Sequence, residues 1–508
     1  MKEVVYQFTK WLVIPLLLAF SIVHINIHIS IPDYLDVRFS TQQLPNNIEI
    51  KSDDVPTVTY SNQKIAIVDG HGDNAAFTFM KHIREMFEHM GYQIKTAKDL
   101  EIDDRWDVMW YHEYSYHHEP YRTLIKKSNR HQIINHIPGS GYYTSKVALA
   151  TCGLTSGVPE AFQLPQQKAK LLSYSAEHPD VLWVQKDNTH RNIKIKKLDE
   201  MDLSKNNSFV QKFVDNPLLI DNRKFDIGIY TVVTSILPLR VYIYDGDVLI
   251  RFCPEDYHPF DVTNVDKYVV GDDYTPIWEI ESLGKYFNIQ QMGFKHTIDS
   301  YLGTKNQDSS RIWSQIYGII AEVFQSQQSK MLFAWKSVEH KAKHFELSRF
   351  DFVVDDQLNV FLMEANMSPN LSSGHFKQNQ IMYEKVLMSI FSLTGISQQL
   401  TEKAAKDFNS RSSDQNPIVN DRDINLPLKY CVENGCESCD EAMECQLCGH
   451  CMSPETGKFL QNTFLEHVNR RQMKRIEFDY LNRTPLTKED HLLALWLKTK
   501  CILDHSWC

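Results

Sequence analysis

The chain has 508 residues, 43% of them hydrophobic and 11% aromatic, enough apolar material for two or three globular units and too much for an intrinsically disordered protein. Its formal net charge of -10 gives a field of the wrong sign for a nucleic acid, so no nucleic-acid partner is expected.

In chain order, a short tail (residues 1–10) precedes Trp11 to Ile31, a run of 21 residues without a charge. That is long enough for a helix to cross a bilayer core. With no small-residue cleavage site after it, the run is predicted to be an uncleaved transmembrane signal-anchor, the competing reading being a cleaved signal peptide. The chain is thereby expected to be a single-pass membrane protein. Lys2 and Lys10 before the run and Asp33, Asp36 and Arg38 after it point the bulk of the chain to the lumenal side. A polar stalk fills residues 32–62.

Lys64 to Asp69 reads as a buried strand, Ala75 to Met90 as a helix and Asp107 to Trp110 as the next strand, giving a βαβ start. The central block alternates in strand fashion over Val181–Val184, Ser208–Val214, Phe225–Thr234 and Leu239–Tyr244. Asp245-Gly246 is predicted as a hairpin turn into Val248–Phe252. Arg311 to Lys336 is a helix with Ile312, Ile316, Ile320, Val323 and Phe324 on one apolar face. Phe350–Val354 and Val360–Glu364 are two strands joined at Asp355-Asp356. A polar linker covers 396–425.

The last segment, 426–508, holds six closely spaced cysteines, Cys431, Cys436, Cys439, Cys445, Cys448 and Cys451. The two C-x-x-C pairs Cys436/Cys439 and Cys448/Cys451 have the layout of a Zn²⁺ site. In an oxidising compartment the same thiols would pair as disulfides, and the spacing admits both.

Asp351 lies on one predicted strand, with Glu364 and Asn366 on the other. Residues two apart on a strand share a face, so the three oxygen-bearing side chains can converge. Such a hard, oxygen-only set suits Mg²⁺ held together with nucleotide phosphates; the plain alternative is a hydrated polar end of a hairpin.

Three stretches carry a family resemblance. Phe345-Glu-Leu-Ser-Arg-Phe-Asp351 with Leu362-Met-Glu-Ala-Asn-Met-Ser-Pro369 is similar to the pattern F-E-x-x-G-x-D followed by L-x-E-x-N-x-S-P. Val210 to Ile220 followed by Lys224-Phe-Asp226 is similar to an adenine-hinge strand and a K-F-D-x-R-x-Y motif. Asn135-His-Ile-Pro138 is similar to N-H-F-P. These are motifs of the tubulin tyrosine ligase-like family, and the resemblance spans roughly 64–393. It implies an α/β (α+β) ATP-grasp fold over 63–395, an N-terminal βαβ domain with central and C-terminal ATP-grasp domains. It also implies an ATP-dependent ligase that adds glutamate, through an acyl-phosphate, to glutamate side chains of tubulin or another glutamate-rich acceptor.

By the same resemblance, Asp351, Glu364 and Asn366 hold Mg²⁺. Gln211, Lys212, Phe213 and Val214 line the adenine of ATP, Lys224, Phe225 and Asp226 meet base and ribose, and Thr263 and Asn264 lie beside the phosphates. Lys186 meets phosphate oxygens, and Arg251 binds the incoming glutamate's carboxylate; Lys186, Asp226 and Arg251 form the catalytic set. Tubulin is cytosolic, which sets the family's substrate against the side indicated by the flanking charges.

Three departures stand out, one of them Pro276-Ile-Trp278, which has no lysine where the family's S-K-W helps bind the amino acid. Residues 186–193 lack the family's glycine-rich loop, whose backbone would cradle phosphates, and the arginine of K-F-D-x-R-x-Y is Gly228. They open a second reading, a catalytically impaired pseudoenzyme that keeps the fold as a binding module.

Overall fold

A computed structural model of the chain describes residues 63–70, 79–100, 105–187, 193, 195–398, 419–440, 442–478 and 487–508. All belong to the unit Tyr60–Cys508; the preceding unit, Met1–Thr59, lies outside them.

Three sheets carry a mixed α/β architecture. The first begins with β1 (Lys64–Asp69), β2 (Tyr92–Lys95), β3 (Val108–Tyr111) and β4 (Ile133–Ile134), all parallel. The helix Lys81–His89 makes the β1–β2 crossover, so the expected βαβ start is present; the residues expected to begin that helix lie outside the described residues. Strand alternation explains why these strands read as unbroken apolar runs. Ala66, Val68, Val108 and Trp110 belong to the main core, while Ile67, Met109 and Tyr111 pack in a separate cluster.

The second sheet is four-stranded and antiparallel, in the order β5 (Ala161–Leu164), β8 (Ser208–Lys212), β6 (Trp183–Asp187) and β7 (Ile195–Lys196).

The third sheet is built on a long strand. β9 (Leu219–Ile220) leads into β10 (Arg223–Ile236), which is followed by β11 (Leu239–Tyr244), β12 (Leu249–Phe252) and β13 (Thr275–Pro276). β10 pairs with β11 through Thr231 to Ile236 and with β12 through Phe225 to Gly228. The hairpin turn is therefore Leu237-Pro238, between Ile236 and Leu239. Asp245-Gly246 does not reverse the chain, contrary to expectation: β11 and β12 run in succession along β10, and residues 245–248 loop out between them. Asp247 in that loop accepts bonds from the amides of Phe294 (3.0 Å) and Lys295 (2.8 Å), the start of the helix Phe294–Thr304. A hairpin signal in sequence cannot see a 14-residue neighbour long enough to pair with both segments.

β14 (Lys343–His344) joins the first sheet beside β4. β15 (Glu346–Val354) lies between β10 and β16 (Val360–Met367), and all nine of its residues are buried. The helix Ser310–Ser337 supplies Ile312, Ile316, Ile320, Val323 and Phe324 to the core, the face expected from its periodicity.

The C-terminal segment is built into the third sheet. β17 (Met473–Arg475) extends it by pairing with β11. Arg240 clasps Glu466 through Nε (2.8 Å) and Nη2 (3.1 Å), and the Leu239 amide donates to Asp490 at 2.8 Å.

Two expectations are corrected here. The single-pass membrane assignment is without support: among the described residues no helix is long and apolar enough to cross a membrane, and Trp11 to Ile31 lies outside the described residues. Of the two readings left open for the cysteine cluster, zinc at Cys436, Cys439, Cys448 and Cys451 is not the one the structure carries. These sulfurs belong to three separate disulfides, Cys431–Cys448, Cys436–Cys445 and Cys439–Cys451, so they cannot act together as thiolate ligands of one ion. A fourth bridge joins Cys501 to Cys508.

Non-reducing peptide mapping should recover these pairs. Reductant should destabilise the module and EDTA should not. The Cys431–Cys448 bridge spans 17 positions, for which lost loop entropy corresponds to about 3 kcal/mol. Free thiols with one bound zinc per chain would overturn the pairing.

Candidate active site

β15 and β16 bring the expected acids together. Asp351 stands opposite Glu364, and Arg349 opposite Asn366. Asn366 Nδ2 donates to Asp351 Oδ2 at 2.9 Å and to Glu364 Oε1 at 3.0 Å. One amide thus ties both carboxylates within reach of a single small ion. The oxygen-only donor set fits Mg²⁺, which accepts one or two carboxylates and leaves its other positions to water and phosphate.

On the other side of β15, Gly228 of β10 faces Asp351, and Asp226 faces Arg251 of β12. Arg251 forks onto Asp226, Nε to Oδ1 at 2.9 Å and Nη2 to Oδ2 at 2.7 Å. The same Nη2 reaches Asp351 Oδ2 at 3.1 Å. Arg349 makes a second fork, Nε to Asp351 Oδ1 at 2.7 Å and Nη2 to Oδ2 at 2.8 Å. Parallel N–H···O bonds of this kind fix orientation as well as charge.

Glu364 has its own cation. Lys146 opens the helix Lys146–Ala150, capped by Ser145 Oγ accepting from the Ala148 amide at 3.3 Å, and its Nζ lies 2.6 Å from Glu364 Oε2. Burial alone would raise the Glu364 carboxyl, but Lys146 and the Asn366 amide draw it down to about 2. Burial also raises Asp226, against the pull of Arg251.

The expected nucleotide residues border this network. Lys186 of β6 donates to Gln211 Oε1 of β8 at 2.9 Å, and burial lowers its ammonium to about 8, with Glu364 opposing and Lys146 and Lys224 adding to the fall. Lys224 of β10 donates to the Tyr268 carbonyl at 3.0 Å and lies 5.0 Å over the Phe213 ring. Phe213, Val184, Ile195 and Tyr268 belong to one apolar cluster, and Phe225, next to Lys224 on β10, is buried in the main core. Five cations, Lys146, Lys186, Lys224, Arg251 and Arg349, thus surround three carboxylates, Asp226, Asp351 and Glu364. A chain of net charge -10 has a locally positive site, which suits a polyanionic ligand.

Other expected residues stand apart from these bonds. Lys212 is exposed at the end of β8, and Val214 is half-buried beyond it. Thr263 and Asn264 form their own turn, with Thr263 Oγ1 donating to Asp261 and Asn264 Oδ1 accepting from the Asp266 amide. Residues 188–192, in the stretch that lacks the family's glycine-rich phosphate loop, lie outside the described residues. A cavity of about 460 Å³ is found elsewhere, lined by Arg470, Arg471, Lys474 and Arg475 among others; the Arg475 guanidinium there donates to the Trp507 carbonyl at 2.9 Å, a bond that secures the chain end.

Sequence reasoning missed Lys146 and Arg349. Lys146 carried no usable signal beyond a serine cap before a short apolar helix. Arg349 sat inside the quoted F-E-x-x-G-x-D stretch at the glycine position, a mismatch whose meaning depends on which strand lies alongside.

Comparison with known proteins identifies the family. The family model described as the tubulin-tyrosine ligase family matches residues 123–405. The chain is 66% identical over 495 residues to the probable tubulin polyglutamylase ttll-15 of Caenorhabditis elegans, covering 96% of each. It is 26% identical over 365 residues to the tubulin polyglutamylase TTLL5 of Homo sapiens, covering 64% of this chain and 28% of that one. With the tubulin monoglutamylase TTLL4 of Homo sapiens the identity is 29% over 293 residues, 54% of this chain and 24% of the relative. A family match over more than half the chain, together with a relative alike along almost its whole length, means that this chain belongs to the tubulin-tyrosine ligase family.

Proposed function

We propose that this protein is an ATP-dependent ligase that joins glutamate to glutamate side chains of tubulin, and that residues 63–395 carry the reaction. The observation that supports it most is the meeting of Asp351, Glu364 and Asn366 on adjacent strands within a ring of five cations. The names of its relatives, tubulin polyglutamylases and a monoglutamylase, supply the substrate class.

In this reading Asp351, Glu364 and Asn366 hold Mg²⁺, which when bound offsets charge on the phosphates of ATP. Lys186 faces phosphate oxygens and gains its full charge as it meets them. Gln211, Lys212, Phe213 and Val214 line the adenine; Lys224, Phe225 and Asp226 meet base and ribose; Thr263 and Asn264 close in beside the phosphates. Asp226 orients Arg251, whose planar fork suits the carboxylate of the incoming glutamate. The acceptor carboxyl takes the γ-phosphoryl group of ATP, and the amine of glutamate then displaces phosphate to form the amide.

The purified chain, given labelled glutamate, ATP, Mg²⁺ and tubulin, should place label on tubulin only when all are present. Binding of ATP with no transfer to tubulin or to other glutamate-rich acceptors would replace the ligase reading with a nucleotide-binding module.

A further inference from the structure

Gly228 is a glycine because Arg349 lies across it. A Cβ built at position 228 would stand 3.0 Å from Arg349 Cδ, 3.2 Å from Asp351 Oδ1 and 3.2 Å from Leu249 Cβ. The strand itself does not call for glycine, since its neighbours Ile227 and Ile229 are buried β-branched residues in regular pairing with β15. The empty volume over Gly228 is what lets the Arg349 side chain run flat along the sheet and fork onto Asp351. Arg349 is 8% exposed, and burying a guanidinium is costly unless its partners are charged and well placed. Asp351 meets that need by geometry, being two residues away on the same strand face.

The two departures from the quoted motifs are therefore reciprocal. The motif on β10 has arginine where this chain has Gly228, and the motif on β15 has glycine where this chain has Arg349. Tyr230 stands opposite Arg349, and Gly228 opposite Asp351, so positions 228 and 349 are diagonal neighbours on paired strands, within reach of one long side chain.

We propose that Arg349 is a positioning residue of the nucleotide site: from β15 it supplies over Gly228 the guanidinium that an arginine at 228 would supply from β10, and it holds Asp351 in the orientation that Mg²⁺-ATP requires. The proposal rests on the nucleotide-binding reading above. It removes one of the three reasons for regarding the site as impaired, because the charge absent from position 228 is restored 121 positions along the chain.

The test is a reciprocal exchange in the full chain, read as the affinity for a fluorescent ATP analogue with Mg²⁺, the melting temperature, and glutamate transfer. Gly228→Arg alone crowds a third guanidinium against the two, from Arg251 and Arg349, already bonded to Asp351, and Arg349→Gly alone leaves Asp351 with Arg251 and Asn366 as partners. Each should weaken nucleotide binding about tenfold or more. The double variant Gly228→Arg/Arg349→Gly should return to within about threefold of wild type, a coupling expected only of groups that share a partner. If the double variant binds no better than the product of the single effects while melting like wild type, the proposal is overturned.

Should the double variant melt early, Arg349→Lys and Arg349→Met decide. Lysine keeps the charge without the fork and should bind between wild type and methionine; equal affinity in all three, at unchanged melting temperature, also overturns the proposal. Failure of wild type itself to bind the analogue would count against the nucleotide reading rather than against Arg349 alone.

Discussion

Glu364→Gln should lower Mg²⁺-dependent ATP binding and glutamate transfer by about a hundredfold or more, the size expected when a group stabilising phosphate charge is lost at a preorganised site. The substitution preserves side-chain volume and can still accept the Asn366 amide, now 3.0 Å from Glu364 Oε1. What it removes is charge. Lys146 holds Glu364 ionised, with the carboxyl drawn down to about 2, so a full negative charge is available to a cation at neutral pH. The variant also leaves Lys146 without its anion 2.6 Å away, and that lysine becomes free to bind phosphate directly. Measured without Mg²⁺, the variant should therefore bind ATP no more weakly than wild type. Equal Mg²⁺-ATP affinity in both proteins would remove Glu364 from the proposed metal set.

Glu346→Ala should be the most destabilising single substitution among the motif residues, costing about 3 to 5 kcal/mol, as expected when one partner of a buried ion pair is removed. Glu346 begins β15 and is fully buried. One carboxylate oxygen faces His136 Nδ1 at 3.0 Å, and the other accepts the Ile137 amide at 3.0 Å. His136, also fully buried, has its second ring nitrogen 2.7 Å from the Tyr111 carbonyl, so both nitrogens face acceptors. The His136 and Glu346 motifs form a latch between the first sheet and the central one. Urea denaturation monitored by tryptophan fluorescence measures the loss directly.

The same latch has a pH signature. Burial opposes protonation of His136, but Glu346 and the Tyr111 carbonyl raise it above its ordinary value of 6.5. A folded value above the unfolded one means the imidazolium contributes fully below about 6.5 and loses that contribution as pH rises through the folded value. Wild-type stability should fall over that upper range, and Glu346→Gln should flatten the slope. Identical pH profiles for the two proteins would show that the pair carries no proton-linked stability.

Much of the local structure was legible in the sequence, because strand and helix periodicities are set by backbone geometry and report which face of an element is apolar. The alternation Glu364, Asn366 and the opposing Asp351 were readable as one converging group without coordinates. The apolar face of the helix Ser310–Ser337 was equally plain. Register was not readable. Whether Asp245-Gly246 turns the chain or merely loops out depends on the length of β10, and whether Gly228 is a loss or a space made for Arg349 depends on β15 lying beside it.

The sequence by itself determined most of the side chains this protein can bring to the proposed nucleotide site, since their types and local spacing follow from the chain alone. Tertiary structure decided how they are held. Arg251, Arg349 and Lys146 reach the acids from a neighbouring strand, from the same strand and from a separate short helix, and the six clustered cysteines close as three bridges whose pairing the spacing left open. Likewise, only the folded chain shows that β17 completes the central sheet. Contacts between segments distant along the chain are fixed by packing and by the pairing of backbone groups across strands, and no local period records them.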